Sequence, residues 1–154
     1  MTRLASIAAA LLALATPALA ESHATGDAAK GEKEFRKCKS CHQIATDDET
    51  FVKGGRTGPN LHGVIGRQAA STDFRYGNDL AAAGAAGLVW DTTNLAEYAE
   101  DPRAFLRAYL DDSSAKSKMT FKMRKNSQDV AAFLATFSDA PAMEDTARDA
   151  QASE

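Results

Sequence analysis

The sequence contains very little cysteine. Only two of its 154 residues are cysteines, and both lie in the stretch Cys38-Lys39-Ser40-Cys41-His42. A structural zinc site takes four ligands, and the other histidines, His23 and His62, have neither the required spacing nor a second cysteine pair. A disulfide between residues 38 and 41 would close too small a loop to add much stability. A thioredoxin-like redox pair needs a βαβ context, and no parallel-strand pattern surrounds the motif.

The spacing of the motif itself favours another chemistry. C-x-x-C-H is the attachment signature of a c-type haem. Two thiols add across the vinyl groups of the porphyrin, and the adjacent imidazole binds the iron. On a helix, positions 38 and 41 share a face, and His42 lies one turn beyond Cys38. The motif therefore predicts one haem c, covalently attached through Cys38 and Cys41, with His42 as one axial ligand.

The sequence also lacks an apolar run of the roughly 20 residues that a membrane-spanning helix needs. Its start instead has the pattern of a secretory signal peptide, with Arg3, an apolar stretch from Ile7 to Leu14, and Ala18-Leu19-Ala20 before the cleavage site. We therefore expect residues 1–20 to be removed on export to the periplasm, where bacteria form haem thioethers, and no transmembrane anchor to remain. Residues 21–138 are then predicted to form one domain, followed by an acidic, disordered tail over 139–154.

Positive charge is in slight deficit. The formal net charge is −3, and it becomes −4 when the signal peptide removes Arg3. We expect no nucleic-acid binding, because the total is acidic and no aromatic residues are interleaved with the lysines. The distribution is uneven, however: basic runs at 30–39 and 116–125 flank candidate iron ligands, whereas 139–154 is acidic. The pattern predicts a dipolar protein with its positive end around the cofactor.

Alternation at period two is absent as well, so we predict no β-sheet. Helices are indicated by their starts. Asp27 predicts a helix from Ala28 to Cys41 with Phe35 facing inward, and Asp91 or Thr92 begins a second helix. Asp101-Pro102 begins a third helix and Ser127 a last one.

The apolar residues of these last two helices recur at helical spacing. They are Phe105, Leu106, Tyr109 and Leu110 in the third, and Val130, Phe133, Leu134 and Phe137 in the last. The glycine-rich stretch from 44 to 90 is predicted to be loop. A loop of this length fits a small domain when a buried porphyrin supplies part of the core.

The second axial ligand must come from the remaining histidines and methionines, which are His23, His62, Met119, Met123 and Met143. His23 and Met143 lie in the expected tails. For His62 we favour a structural role. Met119 lies in a polar loop between two helices, where a core methionine is not expected. Met123 is only four residues further on, and the chemistry of the residues leaves these two methionines open.

The longer motifs resemble those of the class I c-type cytochromes, in particular the larger bacterial cytochrome c2 and c550 type. The similarity extends from Asp27 to about Phe137. It includes the attachment motif, the run Thr57-Gly-Pro-Asn-Leu-His-Gly-Val-Ile-Gly-Arg67 and the motif Lys118-Met-Thr-Phe121. The resemblance implies an all-α class I cytochrome c fold for 21–138. In it the N- and C-terminal helices cross at Gly31, and further short helices and long loops wrap round the haem.

The resemblance also implies the rest of the site. Met119 would be the second axial ligand, and Phe121 would shield the haem edge. The Pro59 carbonyl would accept the Nδ1 hydrogen of His42, which fixes the ring. Tyr98 would approach the Met119 sulfur. Three further residues would hydrogen-bond the haem propionates: Arg67, Tyr76 and Trp90.

An iron with both axial positions filled favours electron transfer over catalysis. We therefore predict a monomeric one-electron carrier. The resemblance allows a bc1-type quinol–cytochrome c oxidoreductase as donor, and a terminal oxidase, a photosynthetic reaction centre or a denitrification reductase as acceptor. Acidic surfaces of such membrane complexes would meet four lysines, Lys37, Lys39, Lys118 and Lys122. The alternative is a haem enzyme or gas sensor with a labile sixth ligand, such as a weak peroxidase, although no distal histidine is evident.

Overall fold

The structure, a computed structural model, describes residues 26–138. In chain order its helices and strands are α1 (Ala28–Glu34), β1 (Ile44–Ala45), β2 (Thr50–Val52), α2 (Asn78–Ala85), α3 (Thr92–Glu100), α4 (Pro102–Tyr109) and α5 (Ser127–Ala135). The predicted signal peptide and acidic tail lie outside the described residues. Between residues 26 and 138, no helix is long and apolar enough to cross a membrane.

Helix α1 begins where the sequence predicts but ends early. The Asp27 carboxylate accepts a hydrogen bond from the Lys30 N–H at 3.1 Å, as a helix N-cap does. The prediction of a helix up to Cys41 was wrong, because α1 ends at Glu34 and a 3-10 turn covers Phe35–Lys37.

The residues after this turn are hydrogen-bonded to a loop and not to a continuing helix. The Lys39 carbonyl accepts the Gly55 N–H at 2.8 Å, and the Cys41 carbonyl accepts the Gly58 N–H at 2.9 Å. Even in a helix that continued to Cys41, these two carbonyls would have no donor within the helix, and the loop satisfies them. The attachment motif is therefore tied to the loop that contains residues 55–58.

Helices α1 and α5 cross at Gly31, as the resemblance implied. A Cβ at Gly31 would lie 2.5 Å from the carbonyl carbon of Asp129 and 2.8 Å from the Cβ of Phe133. Only glycine permits this approach. Beside it, the buried ring of Phe35 lies 5.6 Å from the ring of Phe133, measured between centroids.

Asp129 adds a polar link to the same crossing. Its carboxylate lies 2.8 Å from the Lys30 ammonium and accepts the Asp27 N–H at 2.9 Å. The hydrogen bonds from Lys30 and from the Asp27 backbone lower the pKa of Asp129. Packing and charge therefore hold the two helices at one place.

The start of α5 differs from the prediction. Asn126 occupies the N-cap position, with a φ of 63°, and Ser127 is the first helical residue. The Ser127 hydroxyl donates to the Glu100 carboxylate at 2.6 Å. The prediction that Ser127 caps this helix was wrong because the acceptor of its hydroxyl lies on α3, far away in sequence.

Helices α3 and α4 begin as predicted. Asp91 and Asn94 form a reciprocal capping box at the start of α3. Asp101 caps α4 and is followed by Pro102 at the first helical position. The apolar stripe of α4 is only partly buried. Leu106 is fully buried, whereas Tyr109 is exposed and Phe105 and Leu110 are half-buried.

The stretch from 44 to 90 contains structure that the sequence did not predict. Strands β1 and β2 pair antiparallel, with Ile44 opposite Val52, so the absence of any sheet was a wrong prediction. Helix α2 was also missed, because its alanine-rich sequence has no apolar periodicity. It lies close to the loop before it, and a Cβ at Gly84 would be 2.9 Å from the carbonyl carbon of Ala69. The fold is nevertheless all-α, as predicted.

Candidate haem site

The attachment motif forms one hydrogen-bonded turn. The N–H groups of Cys41 and His42 both donate to the carbonyl of Cys38, at 3.0 and 2.9 Å. Both thiols and the imidazole therefore start from a single turn, which the predicted attachment requires.

The two thiols have different surroundings. Cys38 is half-buried against the core, and desolvation raises the pKa of its thiol to about 11. Cys41 is exposed, and hydrogen bonds with Thr57 and Ser40 lower the pKa of its thiol. Neither cysteine forms a disulfide, so both sulfurs are available for thioether bonds.

The ring of His42 is fixed by the loop that follows the motif. Its Nδ1 donates to the Pro59 carbonyl at 2.8 Å, the contact that the resemblance implied. A Cβ at Gly58 would lie 2.7 Å from Nδ1 and 2.8 Å from Nε2, so glycine is required beneath the ring. Burial lowers the pKa of His42 and favours the neutral ring. Because Nδ1 is occupied by its hydrogen bond, Nε2 is the nitrogen left for a metal.

Met119 lies in the long connection between α4 and α5. Its side chain is half-buried and packs against the hydrophobic core. Its N–H donates to the Ser117 hydroxyl at 3.1 Å, and that hydroxyl lies 3.2 Å from the Tyr98 hydroxyl. Tyr98 is thus connected to Met119 through Ser117. Its predicted approach to the sulfur stays a prediction.

Lys118 holds the neighbouring part of the same connection. Its ammonium donates to the carbonyls of Arg75 and Tyr76, at 2.9 and 2.8 Å. The segment before α2 and the segment that contains Met119 are therefore joined directly.

Two competing candidates for the axial ligand, Met123 and His62, make other contacts in the structure. Met123 is only 2% exposed, and its N–H donates to the Ala99 carbonyl at 2.8 Å. His62 stacks on Phe51 with centroids 5.4 Å apart, and the ring of Phe137 lies 6.5 Å away. His23 and Met143 lie outside the described residues.

The residues predicted to bind the propionates have the following positions. Arg67 donates to the carbonyls of His62 and Asn60, at 2.8 and 3.1 Å, and burial lowers the pKa of its guanidinium. Arg67 and Tyr76 are close enough for an electrostatic interaction between them. The Tyr76 hydroxyl also lies 2.5 Å from the Thr72 hydroxyl.

Trp90 and Phe121 differ strongly in burial. Trp90 is buried, with its ring 5.1 Å from that of Tyr98. Phe121 is 41% exposed, two residues after Met119. The haem contacts predicted for Arg67, Tyr76, Trp90 and Phe121 remain predictions.

Sequence reasoning missed two polar supports of the site. One is Ser117. The other is Asn60, whose side chain accepts the N–H groups of Ala45 and His62 at 3.2 and 3.1 Å and donates to the Ala45 carbonyl at 2.6 Å. The signal for Asn60 was its position inside the Thr57–Arg67 run. Ser117 directly precedes the Lys118–Phe121 motif. Its contact with Tyr98, 19 residues earlier in the chain, could not be inferred from any sequence pattern.

These donors fit a haem c. Two thiols lie on one turn, an imidazole offers only Nε2, and a thioether lies at the edge of the core. Among residues 26–138, no group of three or more His, Cys, Asp or Glu side chains could hold a metal ion. A haem c would bring its own four porphyrin nitrogens to the iron, and the chain would have to supply only the covalent links and the axial ligands.

The known proteins with similar sequences are cytochromes. Cytochrome c-551 of Roseobacter denitrificans is 61% identical over 139 residues, 90% of this chain and 97% of that protein. Cytochrome c-550 of Paracoccus denitrificans is 52% identical over 130 residues, 82% of both chains. The structure of cytochrome c2 from Rhodobacter capsulatus matches with a TM-score of 0.71 and 52% identity, over 72% of this chain and 97% of that one. No protein-family model matches the chain.

The fold and the site define an electron-transfer protein with one covalently bound haem c, and not an enzyme. The chain belongs to the class I c-type cytochromes, together with cytochromes c2, c-550 and c-551. The predicted family, fold class and cofactor are thereby confirmed.

Proposed function

We propose that this chain is a periplasmic one-electron carrier whose haem iron is bound by His42 and Met119. It accepts electrons from a bc1-type quinol–cytochrome c oxidoreductase. It delivers them to a terminal oxidase, a photosynthetic reaction centre or a denitrification reductase. Cys38 and Cys41 hold the haem, because the chain has no other cysteines.

The fixed ring of His42 carries this proposal. Its Nδ1 hydrogen bond to the Pro59 carbonyl, at 2.8 Å, makes the imidazole a better electron donor and orients Nε2. Gly58 allows the ring to lie directly against the loop, since a Cβ at this position would come within 2.7 Å of Nδ1. A ligand held in this way changes little between the two oxidation states, which suits a carrier.

Burial favours Met119 over Met123 as the opposite ligand. Met123 is enclosed by the protein core and its backbone is bonded to Ala99 on α3, so using it would require its segment to leave the core. Met119 is half-buried at the edge of that core, and Ser117 fixes its backbone. A thioether ligand favours ferrous iron and raises the reduction potential.

The bound haem supplies reversible one-electron chemistry, and the chain determines how partners reach it. Lys37 is paired with Glu34, and Lys122 lies 2.6 Å from Asp101. Within the described part of the chain, Lys39 and Lys118 form no ion pair. These two lysines supply uncompensated positive charge for docking acidic partners, and the resulting complexes would be fast and salt-sensitive.

The periplasmic location rests on the signal-peptide pattern of residues 1–20 and on the need to form thioethers outside the cytoplasm. Fractionation of cells that produce the full chain tests it. Haem-stained protein shortened by about 20 residues should be recovered with the periplasm. Recovery of full-length protein with the membranes would contradict this part of the proposal.

The ligand assignment is tested by absorption spectra of the ferric protein. The weak far-red band from sulfur to ferric iron should be present in the wild type and in Met123→Leu, and absent in Met119→Leu. Met123→Leu is the matched control, because it changes the same residue type four positions away. Loss of the band in Met123→Leu alone would reverse the assignment. A high-spin spectrum without the band in the wild type would favour a labile sixth position.

A further inference from the structure

A groove of about 610 Å³ lies between the end of α1, strand β2 and α5. Phe51, Val52 and Phe133 are among the apolar side chains that line it. Phe51 is 41% exposed, although large aromatic side chains normally gain free energy from burial. The groove therefore offers apolar surface to a ligand.

The rim of this groove is strongly basic. Four cationic side chains line it, Lys33, Arg36, Lys39 and Lys53, together with a single carboxylate, Glu32. None of the four cations forms an ion pair with an acidic side chain in the described part of the chain. A ligand that suits this surface is negatively charged and carries some apolar groups.

We infer that residues 139–154 of the same chain occupy the groove. The described chain leads directly to it, because the ring of Phe137 lies 5.4 Å from Phe51 and 5.1 Å from Phe133, both of which line the groove. The backbone is fixed at this point. The Gly63 N–H donates to the Phe137 carbonyl at 2.9 Å, and the Ile65 N–H donates to the Ser138 hydroxyl at 3.2 Å.

The composition of residues 139–154 matches the groove. After Asp139 comes an apolar stretch, Ala140-Pro141-Ala142-Met143, which is followed at once by Glu144 and Asp145. Over the whole segment five acidic residues accompany one basic residue, Arg148. An extended chain advances about 3.3 Å per residue, so Met143 and Glu144 can reach roughly 17 to 20 Å from Ser138. That distance is sufficient to bring Met143 onto the apolar surface and the two carboxylates to the rim.

Occupation of the groove would neutralise Lys39, which lies between the two haem-linking cysteines. Acidic redox partners would then compete with residues 139–154 for this lysine. This consequence rests on the proposed function, whereas the occupation itself does not. The test is therefore made without any redox partner.

The experiment compares amide NMR shifts of the haem-loaded ferrous protein with and without residues 139–154. Ending the chain after Ser138 should move the amide signals of Lys39, Phe51, Val52 and Lys53 and leave those of Arg103 and Arg107 on α4 unchanged. A synthetic peptide of residues 139–154, added to the shortened protein, should return the groove signals toward their original positions. The peptide effect should weaken in about 1 M salt, where the Debye length is only about 3 Å.

Charge variants identify the surface that is occupied. In the shortened protein, Lys39→Gln together with Lys53→Gln should weaken binding of the peptide about fivefold. Arg75→Gln together with Arg103→Gln, a matched control at two exposed cations that do not line the groove, should leave it unchanged. Unchanged groove signals on shortening the chain would overturn the inference. So would peptide binding that only the control variant weakens.

Discussion

The crossing of α1 and α5 offers the sharpest test of the fold, through the substitution Gly31→Ala. Alanine is the better helix former by about 1 kcal/mol, so an isolated α1 would gain stability. In the folded protein the new Cβ would lie 2.5 Å from the Asp129 carbonyl carbon and 2.8 Å from the Phe133 Cβ. Ordinary carbon contacts begin near 3.5 Å, so the helices must separate by about 1 Å at this point.

The cost of overpacking and the gain in helix propensity together decide whether Gly31→Ala raises or lowers the free energy of unfolding. Overpacking a well-packed contact costs about 1 to 3 kcal/mol, and the upper end applies here because the obstructing atoms of Asp129 are backbone and cannot change rotamer. Subtracting the helix-propensity gain leaves a loss of about 2 kcal/mol in the free energy of unfolding. For a domain of this size that corresponds to a fall in Tm of about 8 °C.

The assay is guanidinium unfolding of the haem-loaded protein, followed by far-UV circular dichroism. Ala29→Gly is the control, because residue 29 is exposed on the same helix and its substitution isolates the propensity difference. It should cost about 1 kcal/mol. If Gly31→Ala were as stable as the wild type or more so, the crossing would be loose and the argument from Gly31 would fail.

Three further predictions concern the site and its supports. Gly58→Ala should displace the His42 ring from the Pro59 carbonyl. Exchange of the His42 Nδ1 hydrogen, measured by NMR, should then become about fivefold faster, which is the factor for losing a hydrogen bond of about 1 kcal/mol. Unchanged exchange would contradict the role of Gly58. Asp129→Asn should reduce the loss of unfolding free energy at acid pH. The folded-state pKa of Asp129 lies below its ordinary value of 3.8, so its contribution to stability is complete above that value and is lost as the pH falls through the lower folded pKa. Guanidinium titrations between pH 2 and 7 measure this, and parallel curves for both proteins would refute it. Lys118→Gln should slow association with a bc1-type complex about twofold at low salt and not at high salt. Lys118→Arg, which keeps the charge, should associate at the wild-type rate. Equal stopped-flow rates for the wild type and both variants at low salt would show that Lys118 is not part of the docking surface.

The predictions that succeeded rest on local chemistry. Asp27 and Asp101 each cap the helix that follows them within three residues, so the sequence alone indicates the start. The attachment motif is equally local. The crossing at Gly31 needed the resemblance to a known family, because it depends on a helix far away in sequence.

The predictions that failed depended on distant partners. Ser127 looks like an N-cap, yet its hydroxyl donates to Glu100, 27 residues earlier. Helix α2 is alanine-rich on every face, so its burial against the Ala69 loop produces no periodic pattern. In each case a tertiary contact decided the outcome over a local preference.

The connection between α4 and α5 shows why a long ligand-bearing segment need not be a loose one. The described chain has neither helix nor strand there, and yet its backbone is bonded to two helices. The Lys116 N–H donates to the Asp79 carboxylate on α2 at 2.7 Å, and the Ala115 carbonyl accepts from the Arg107 guanidinium on α4 at 3.3 Å. These bonds immediately precede Met119, so contacts within the protein offset part of the entropy cost of ordering the segment. Additional residues upstream of Ala115 can therefore be accommodated without displacing the sulfur that we propose to bind the iron.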